Sequence, residues 1–413
     1  MKFFAGATLF LLLLLQLWGG EFRLAATADL HGSLPELALL AEPLSRFGAE
    51  VKIDLGDLTQ GTVESDHFDG IPMMNALNML DFQLYVPGNH EFEMGQKKVE
   101  KLCRTFQGKV LGANWRSGNF LPLPWRIFRK GNFSCAVIGM TENRLYHKAP
   151  LLPGFTFAPA EEALKKTLQE LRRYKVNVII LAWHNGYRSS LGSAGRVLWK
   201  FPEIDLLICS HVHAEIPGAR AARALVVQPG ARGTSAVAVT IVFDDRTGRK
   251  RFITSRLLKP GKSVHPGIQQ LYAKCRQRTA ALRRSRRIKL SARNCAELLL
   301  RCCKGDAAVF DMPQAAELRE LDRYDFYRLF AYRNSMCILP VTAEELRTFI
   351  AETVPEKRRR VVVYAGESHR QKRQISLVVS DYQIVSSPAL QKLMHRAKLT
   401  LLVERELIDK EFF

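Results

Sequence analysis

The chain has 413 residues, of which 47% are hydrophobic and 24% are charged. This composition, with no low-complexity tract, excludes an intrinsically disordered protein and predicts about two domains with sizeable cores. The formal net charge of +21 favours anionic partners, such as small anionic substrates, membrane surfaces or nucleic acid.

The first residues have the pattern of a targeting segment. Lys2 precedes an apolar run from Phe3 to Trp18, which is short for a membrane span and has no basic flank after it. We therefore predict a signal peptide over residues 1–20 and a secreted or periplasmic protein. Trp18 is bulky where a cleavage site prefers a small residue. An uncleaved anchor is therefore the alternative, and only then would the chain contact a membrane.

Basic residues are concentrated in two runs in the second half of the chain. No stacking aromatics alternate with them and no nucleic-acid-binding motif accompanies them. We interpret them as a solvated basic face, and nucleic acid is not favoured as a partner. The runs are Arg283, Arg284, Arg286, Arg287 and Lys289, and then Lys357 to Arg360 followed by Arg370, Lys372 and Arg373.

The cysteines give no metal-binding pattern. Cys103, Cys135 and Cys209 lie in separate apolar or helical contexts, which predicts buried small hydrophobic side chains. The others crowd the C-terminal third with neither zinc-ribbon spacing nor a disulfide connectivity that the sequence defines.

Residues 21–262 alternate strand-like and helix-like segments, which predicts an α/β domain. Apolar runs repeatedly end just before a polar, metal-capable group. The carboxyl ends of strands are where α/β sheets carry their sites. The runs are Phe22 to Ala28, Val51 to Leu55, Leu84 to Val86, Val176 to Trp183 and Leu206 to Ser210.

Other elements complete this domain. Ser33 is positioned to cap one helix, and acidic residues early with basic residues late predict another over Ala160 to Arg173. Ala224 to Gln228, Ala236 to Phe243 and Arg251 to Leu258 have strand patterns, which suggests a second sheet packed on the first.

A domain boundary is predicted over residues 263–290. A Pro-Gly pair there begins a basic, helix-prone stretch with little apolar face, which we interpret as an interdomain helix or linker. Residues 291–413 then form a smaller α+β domain, in which Thr342 and Glu345 match a capping box that begins a helix.

A set of metal-capable side chains follows the predicted strands in chain order. Carboxylate, amide and imidazole ligands delivered from several strand ends suit two adjacent divalent cations. Asp57 follows a glycine that permits a turn, and one carboxylate there can neutralise charge on both metals. The set is Asp29, His31, Asp57, Asn89, His184, His211 and His213.

Each of these residues has an ordinary structural interpretation when it is taken alone. His184 can be a core histidine, Asp57 a turn residue and Asp29 a helix cap. The complete set, in this order and at strand ends, favours a catalytic metal site.

The motifs around these residues resemble the calcineurin-like metallophosphoesterase superfamily. Within it, the two-domain layout resembles the secreted bacterial 5'-nucleotidase and UDP-sugar hydrolase family. The resemblance implies a four-layer αββα sandwich followed by a smaller α+β substrate domain. The motifs are Asp29-Leu30-His31, Gly56-Asp57, Gly88-Asn89-His90-Glu91, His184-Asn185-Gly186 and Ser210-His211-Val212-His213.

The resemblance also implies a role for each site residue. Asp29, His31 and His213 would hold one metal; Asn89, His184 and His211 would hold the other; and Asp57 would bridge them. The ions would be manganese, zinc, iron or cobalt, and a metal-bridging hydroxide would attack the phosphate ester.

The same resemblance implies catalytic and substrate-binding residues. His90 would stabilise the transition state or assist the leaving group, and Glu93 replaces the family's usual aspartate as its partner. Asn89 would also face the substrate. Tyr332 falls where the family has an aromatic that stacks on a nucleobase, although a core tyrosine is the alternative.

The C-terminal domain departs from the family pattern at two loops. Asp311-Met312-Pro313-Gln314-Ala315 replaces a glycine-rich loop with an arginine, and Ser386-Ser387-Pro388-Ala389 replaces a second glycine-rich loop. Both changes affect nucleotide recognition and leave the metal ligands intact. We therefore expect phosphoester chemistry on a small anionic substrate, with nucleotides as one candidate class.

Two alternatives to a 5'-nucleotidase-like phosphoesterase follow from the same residues. One is a sulfur-ester hydrolase of the periplasmic sulfur-oxidation type, which would use the same metals. The other is a catalytically weak, metal-containing binding or scaffold protein, which the altered loops and the basicity favour and the complete ligand set opposes.

Overall fold

The computed structural model describes residues 19–143, 145, 149, 152–188, 194–313, 320–332, 334–352, 358–365 and 373–412. The predicted targeting run from Phe3 to Trp18 lies outside these residues. So do Gln314 and Ala315 of the first altered loop, and Lys357, Arg370 and Lys372 of the second basic run.

Within the described residues up to position 258, the strands form two six-stranded mixed sheets and a two-stranded ribbon. The first sheet has the order β14-β13-β1-β2-β3-β4, the second has the order β11-β12-β10-β9-β7-β6, and β5 pairs with β8. This numbering denotes β1 (Gly19–Thr27), β2 (Val51–Asp54), β3 (Leu84–Tyr85), β4 (Lys109–Val110), β5 (Trp115–Ser117), β6 (Trp125–Lys130), β7 (Phe133–Met140), β8 (Phe155–Phe157), β9 (Val178–Trp183), β10 (Leu206–Ile208), β11 (Ile216–Ala221), β12 (Ala224–Gln228), β13 (Ala236–Asp244) and β14 (Lys250–Leu258).

Helices lie on the outer faces of both sheets. They are α1 (Leu34–Phe47), α2 (Val63–Asp66), α3 (Ile71–Met79), α4 (Asn89–Phe92), α5 (Gln96–Thr105), α6 (Ala160–Leu171), α7 (Val197–Lys200) and α8 (Pro266–Thr279). Ser33 is the N-cap residue of α1 as predicted, but its side chain makes no capping hydrogen bond. Pro35 in the first turn instead fixes a helical φ where no N–H partner is needed.

Three apolar cores separate four layers. One core lies between the two sheets and takes side chains from both, for example Ile53 and Val239 of the first sheet and Ile180 of the second. A second core joins the first sheet to its helices through residues such as Leu37, and a third joins the second sheet to α6 through residues such as Leu164. The central strands are apolar on both faces because both faces are covered. The predicted αββα sandwich is confirmed.

The C-terminal part carries a five-stranded mixed sheet among its described residues, in the order β17-β15-β18-β16-β19. Apolar cores lie on both of its faces, which confirms the smaller α+β unit. Its elements are β15 (Ala307–Pro313), β16 (Ser335–Val341), β17 (Arg358–Tyr364), β18 (Ile375–Ser380), β19 (Lys398–Val403), α9 (Ala292–Cys303), α10 (Arg323–Leu329), α11 (Ala343–Ala351), α12 (Asp381–Ser386), α13 (Pro388–Gln391) and α14 (Glu404–Phe412).

The capping box that opens α11 is present as predicted. The N–H of Thr342 donates to Glu345 Oε2 at 2.7 Å, and the N–H of Glu345 donates to Thr342 Oγ1 at 3.1 Å. These two bonds satisfy backbone donors that the first helical turn leaves open.

The three cysteines predicted to be buried are buried. Cys103, Cys135 and Cys209 are each at most 3% exposed, and burial raises the pKa of their thiols. They behave as small hydrophobic side chains in the cores of the first domain.

The basic residues of the first run are exposed, as predicted, and two of its arginines also contact the C-terminal unit. The Arg283 guanidinium lies 3.5 Å from the ring centroid of Tyr324, and Arg287 pairs with Asp322 at 3.7 Å. The tyrosine hydroxyl donates to Glu64 at 2.8 Å, so this contact joins α10 to α2 across the two units. The domain limits of 262 and 290 stay a prediction. Across the described ranges, no helix has both the length and the apolar character needed to cross a membrane.

Candidate metal centre

The site residues follow the carboxyl ends of five strands that belong to two different sheets. Asp29 and His31 follow β1, Asp57 follows β2, and Asn89 begins the short helix after β3. These three strands are parallel neighbours in the first sheet. The remaining residues, His184, His211 and His213, follow the parallel strands β9 and β10 of the second sheet. The site therefore lies where the ends of the two sheets meet.

Most of these residues have a strained backbone. Positive φ is uncommon outside glycine, and it is concentrated at sites where the surrounding structure fixes the chain. The residues are Asp29 (φ 53°), His31 (φ 46°), Asp57 (φ 48°), His211 (φ 75°) and His213 (φ 54°). Left-handed turns directly after the strands point their side chains inward.

One cluster contains Asp29, His31, Asp57 and His213, whose ligand atoms all lie within 4.8 Å of one another. The Nδ1–H of His31 donates to the carbonyl oxygen of Gln60 at 2.8 Å, so its Nε2 carries a lone pair. That Nε2 lies 3.1 Å from Nε2 of His213. Two imidazole nitrogens directed at each other beside two carboxylates fit a shared cation.

A second cluster contains Asp57, His184 and His211, again with ligand atoms within 4.8 Å of one another. Nδ1–H of His184 donates to the carbonyl oxygen of Leu55, so Nε2 is the free ligand atom. This Nε2 is buried, has no hydrogen-bond partner and lies 3.3 Å from Asp57 Oδ2. Asn89 Oδ1 lies 2.9 Å from Nδ1 of His211 and joins the same cluster. An orphaned buried imidazole nitrogen fits a metal ligand, because it is costly otherwise.

Asp57 is common to both clusters. Its Oδ2 lies 3.9 Å from His31 Nε2, 3.3 Å from His184 Nε2 and 4.0 Å from His90 Nε2. Although burial opposes ionisation, His184 and His90 hold the pKa of Asp57 well below its usual range. The carboxylate therefore keeps its negative charge at the centre of the site.

Burial shifts the pKa values of two other ligands of the first cluster. Burial raises the pKa of Asp29 to about 7, and burial lowers the pKa of His31 to about 4. His31 is therefore neutral at physiological pH, which is the form that binds metal. Burial also raises the cost of leaving this group of carboxylates without a compensating positive charge.

Glu91 holds together the backbone that carries several candidate ligands, a role that the sequence analysis did not assign. It is fully buried and its carboxylate accepts hydrogen bonds from the N–H groups of Asp57 at 3.0 Å and Leu58 at 2.9 Å. It also accepts from the N–H groups of Thr59 at 3.1 Å and Gly88 at 2.7 Å. One carboxylate thus links the Asp57 turn to the helix that carries Asn89 and His90. Its position beside His90 in the sequence was the available signal.

His90 and Glu93 form the pair that the sequence predicted. Nδ1 of His90 lies 2.8 Å from Glu93 Oε2, and the Glu93 side chain is only 8% exposed. Burial opposes protonation of His90, but Glu93 and Asp57 raise its pKa to about 9. Glu93 is therefore not a solvent-facing residue, and its catalytic role stays a prediction.

Tyr332 reaches the metal centre from the C-terminal unit. Its ring stacks on His90 with centroids 4.7 Å apart and planes tilted by 25°, and it meets His31 edge-on at 6.2 Å. Burial raises the pKa of its hydroxyl. Tyr332 therefore lies over the site rather than in the core of the third sheet.

Two further residues at the site were missed by the sequence analysis. Glu142 follows β7 and places Oε1 3.4 Å from Nε2 of His211. Arg232 follows β12, and its N–H donates to the carbonyl oxygen of Asp29 at 2.8 Å. The rule that polar groups follow strand ends could have identified both residues, but β7 was not among the predicted strands.

Where the structure describes the altered C-terminal loops, their side chains make contacts within the C-terminal unit. Arg360 donates to both oxygens of Asp311, at 2.8 and 3.1 Å, in a buried bidentate pair. Ser387 accepts from the N–H of Leu390 at 3.0 Å and caps α13. These side chains stabilise the third sheet and its helices.

A four-layer αββα sandwich with Asp and His side chains clustered at its strand ends is what the resemblance to metallophosphoesterases implies. Residues 22–215 match the calcineurin-like phosphoesterase family model. The chain thus contains a calcineurin-like phosphoesterase domain with a candidate divalent-metal site.

Curated relatives and a solved structure agree with this assignment. The chain is 24% identical over 241 residues to the 2',3'-cyclic-nucleotide 2'-phosphodiesterase/3'-nucleotidase of Yersinia enterocolitica, which covers 48% of this chain and 37% of the relative. It is 29% identical over 175 residues to protein UshA of Escherichia coli, covering 41% and 31% respectively. A putative 5'-nucleotidase from Staphylococcus aureus shares the fold with a TM-score of 0.74, 18% identity and coverage of 95% of this chain and 96% of the other.

The match to the curated relatives is partial. The aligned region spans about a third of the length of those two relatives, 37% and 31%. The Staphylococcus aureus structure covers 95% of this chain at 18% identity, so the fold similarity extends into the C-terminal unit.

Proposed function

We propose that this protein is a hydrolase of phosphate esters that uses two divalent metal ions, with a 5'-nucleotidase-like architecture. The observation that carries the proposal is the pair of ligand clusters that share Asp57, including a buried His184 Nε2 with no hydrogen-bond partner. A binding or scaffold protein has no need for this costly arrangement.

We assign the ligands from the two clusters. Asp29, His31 and His213 would hold one ion, and Asn89, His184 and His211 would hold the other. Asp57 would contact both, because its Oδ2 faces both sets of imidazoles. When bound, such ions polarise phosphoryl oxygens and activate water for hydrolysis.

In this proposal His90 is the proton donor and Glu93 orients it. The carboxylate of Glu93 accepts from Nδ1 of His90 at 2.8 Å, which leaves Nε2 directed at the centre. Burial acts to lower the pKa of His90, and the Glu93 carboxylate opposes this and favours the protonated imidazole. Nε2–H can then donate to a phosphoryl oxygen or to the leaving group as negative charge develops.

Substrate choice belongs to the C-terminal unit and to Tyr332. The Tyr332 ring stacks on His90, beside the path that the leaving group of the substrate would take. An aromatic or nucleoside leaving group would stack on this ring. The names of the curated relatives also make nucleotides the first class to test. The altered loops, however, offer no glycine-lined approach to a base.

The test is a substrate panel with protein reconstituted separately with manganese, zinc, iron and cobalt. It should contain nucleoside monophosphates, cyclic nucleotides, nucleotide sugars, aryl phosphates and a sulfur ester, with phosphate and sulfate release measured in parallel. We expect metal-dependent phosphate release from at least one ester and close to two metal equivalents by elemental analysis. Less than one bound equivalent, or sulfate release alone, would exclude the proposal.

We also propose that the protein is exported. Lys2 and the apolar run from Phe3 to Trp18 support this, because they have the composition of a signal peptide. Mass spectrometry of the N-terminus after expression from the full gene would test it. Recovery of the intact N-terminus in the soluble cell fraction would contradict it.

A further inference from the structure

Arg232 is held beside the metal centre by its own backbone. It lies in the short segment between β12 and β13, where its N–H donates to the carbonyl oxygen of Asp29 at 2.8 Å. Its φ is 53°, a conformation that costs free energy in a residue with a side chain.

The loop that carries Arg232 is closely packed. Gly233 has a φ of 72°, and a Cβ at that position would lie 2.7 Å from Cβ of Glu36 on α1. A glycine is therefore needed there, since α1 leaves no space for a side chain. This packing fixes the position of the Arg232 backbone.

Arg232 lies at the edge of the site. Its backbone is anchored at Asp29, and the side chain is exposed. The positive charge of Arg232 acts on Tyr332, so the guanidinium lies near the tyrosine that covers the first cluster.

Arg232 is available to bind an anion. Among the described residues, no carboxylate forms an ion pair with it. The guanidinium group pairs bidentately with carboxylate or phosphate, and such charge-assisted bonds are stronger than neutral ones.

The depth of the site separates Arg232 from the reacting phosphate. Most of the ligands that would surround that phosphate are buried, with His31 fully buried and Asp57 only 1% exposed, whereas His213 is exposed at the edge. An exposed guanidinium at the edge is instead positioned for a part of the substrate that lies further out, beside Tyr332.

We propose that Arg232 determines specificity by binding a second anionic group, a carboxylate or a phosphate, that the substrate carries outside the ester being cleaved. The inference rests on the proposed phosphoesterase function, because it assumes that the scissile phosphate binds at the two ligand clusters. It adds a requirement that the fold does not impose: good substrates carry two anionic groups.

The experiment uses phosphonates, which bind but are not hydrolysed. Calorimetry on metal-reconstituted protein would compare phenylphosphonate, 3-carboxyphenylphosphonate and 1,3-phenylenediphosphonate. We expect the wild-type protein to bind at least one of the two-anion probes about ten- to a hundredfold more tightly than phenylphosphonate, since one charge-assisted pair is added. The probe with the larger gain identifies carboxylate or phosphate as the preferred group.

Matched arginine variants assign that preference to Arg232. Arg232→Met should remove it and leave the phenylphosphonate affinity within about twofold, while Arg232→Lys should keep part of it. Arg223 is exposed in the turn between β11 and β12, at the opposite end of β12, so Arg223→Met should keep all of it.

The outcomes are distinguishable. Equal binding of all three probes by the wild-type protein, or an unchanged preference in Arg232→Met, would overturn the role of Arg232 and leave the phosphoesterase proposal standing. Failure of every phosphonate to bind, together with no turnover of any ester, would remove the proposed function and this inference with it.

Discussion

At the scale of single residues, the centre is organised by carboxylates that each serve several partners. Asp57 faces imidazoles of both clusters, and Glu91 accepts from several backbone N–H groups around it. Removing one such carboxylate therefore disturbs many contacts at once, because each is buried and faces several partners. The ligand types were predictable from the motifs. The supporting hydrogen-bond network was not, because the sequence does not show which glutamates are buried.

Asp57→Asn should prevent assembly of the pair of ions. The substitution keeps the shape and removes the charge that both clusters share. We therefore expect activity to fall by more than about a hundredfold, which exceeds the usual effect of removing a residue that only hydrogen-bonds to a ligand. Elemental analysis would measure the metal content alongside phosphate release. Asp245→Asn, on the exposed turn between β13 and β14, is the matched control and should behave as the wild type. Full activity in Asp57→Asn would contradict the assignment.

Glu142→Gln tests one of the residues that the sequence analysis missed. Its carboxylate lies 3.4 Å from Nε2 of His211, where it can orient the ring and increase its basicity as a ligand. We expect metal affinity to fall by roughly ten- to a hundredfold while KM at saturating metal stays unchanged. An unchanged metal dissociation constant would show that Glu142 has no such role.

Glu93→Gln tests the partner of His90. A glutamine can still accept from Nδ1 but carries no charge, so His90 loses the main favourable interaction of its protonated form. We expect kcat to fall by about tenfold or more with little change in metal content. Glu93→Asp shortens the side chain by one methylene and should retain more activity than the glutamine variant. The opposite order would show that reach matters more than charge.

At the scale of elements, the site depends on how tightly each strand turns into its loop. β9 ended at the predicted residue, and β1, β2 and β10 ended one or two residues before the predicted limit, because the change from apolar to polar residues is visible in the sequence. Sheet membership was not predictable. β12 joins the second sheet while β13 and β14 join the first, and such pairing is set by packing between distant segments.

The turn after β2 should tolerate no side chain at Gly56. Its φ is 80°, and an added Cβ would lie 2.0 Å from the backbone nitrogen of Gly88. We expect Gly56→Ala to lower the free energy of unfolding by at least about 3 kcal/mol, from backbone strain and overpacking together. Gly131 has a φ of 55° with nothing within 4 Å of its Cβ position.

Gly131→Ala is therefore the control for conformation without a clash. It should cost only about 1 kcal/mol, which denaturant unfolding of both variants would resolve. Equal losses in the two variants would mean that the Gly88 backbone moves aside and that the loop carrying Asp57 is not rigid.

At the scale of the whole molecule, the two units meet at the site. Tyr324 donates to Glu64 from one side, and Tyr332 stacks on His90 over the ligands. The first unit was recognisable in the sequence because its motifs carry the chemistry. The position of Tyr332 over His90 was not, because it depends on how the third sheet packs against the first two.

Tyr332→Ala should therefore change recognition rather than chemistry. The ring lies 4.7 Å from His90, so an aromatic leaving group would pack beside the same surface. We expect KM for an aryl phosphate to rise by about two- to tenfold, the worth of one aromatic pair, while KM for glycerol phosphate changes little. Tyr332→Phe keeps the ring and should match the wild type on both substrates. An equal loss in the phenylalanine variant would show that the hydroxyl, and not the stacked ring, is the part of Tyr332 that the substrate meets.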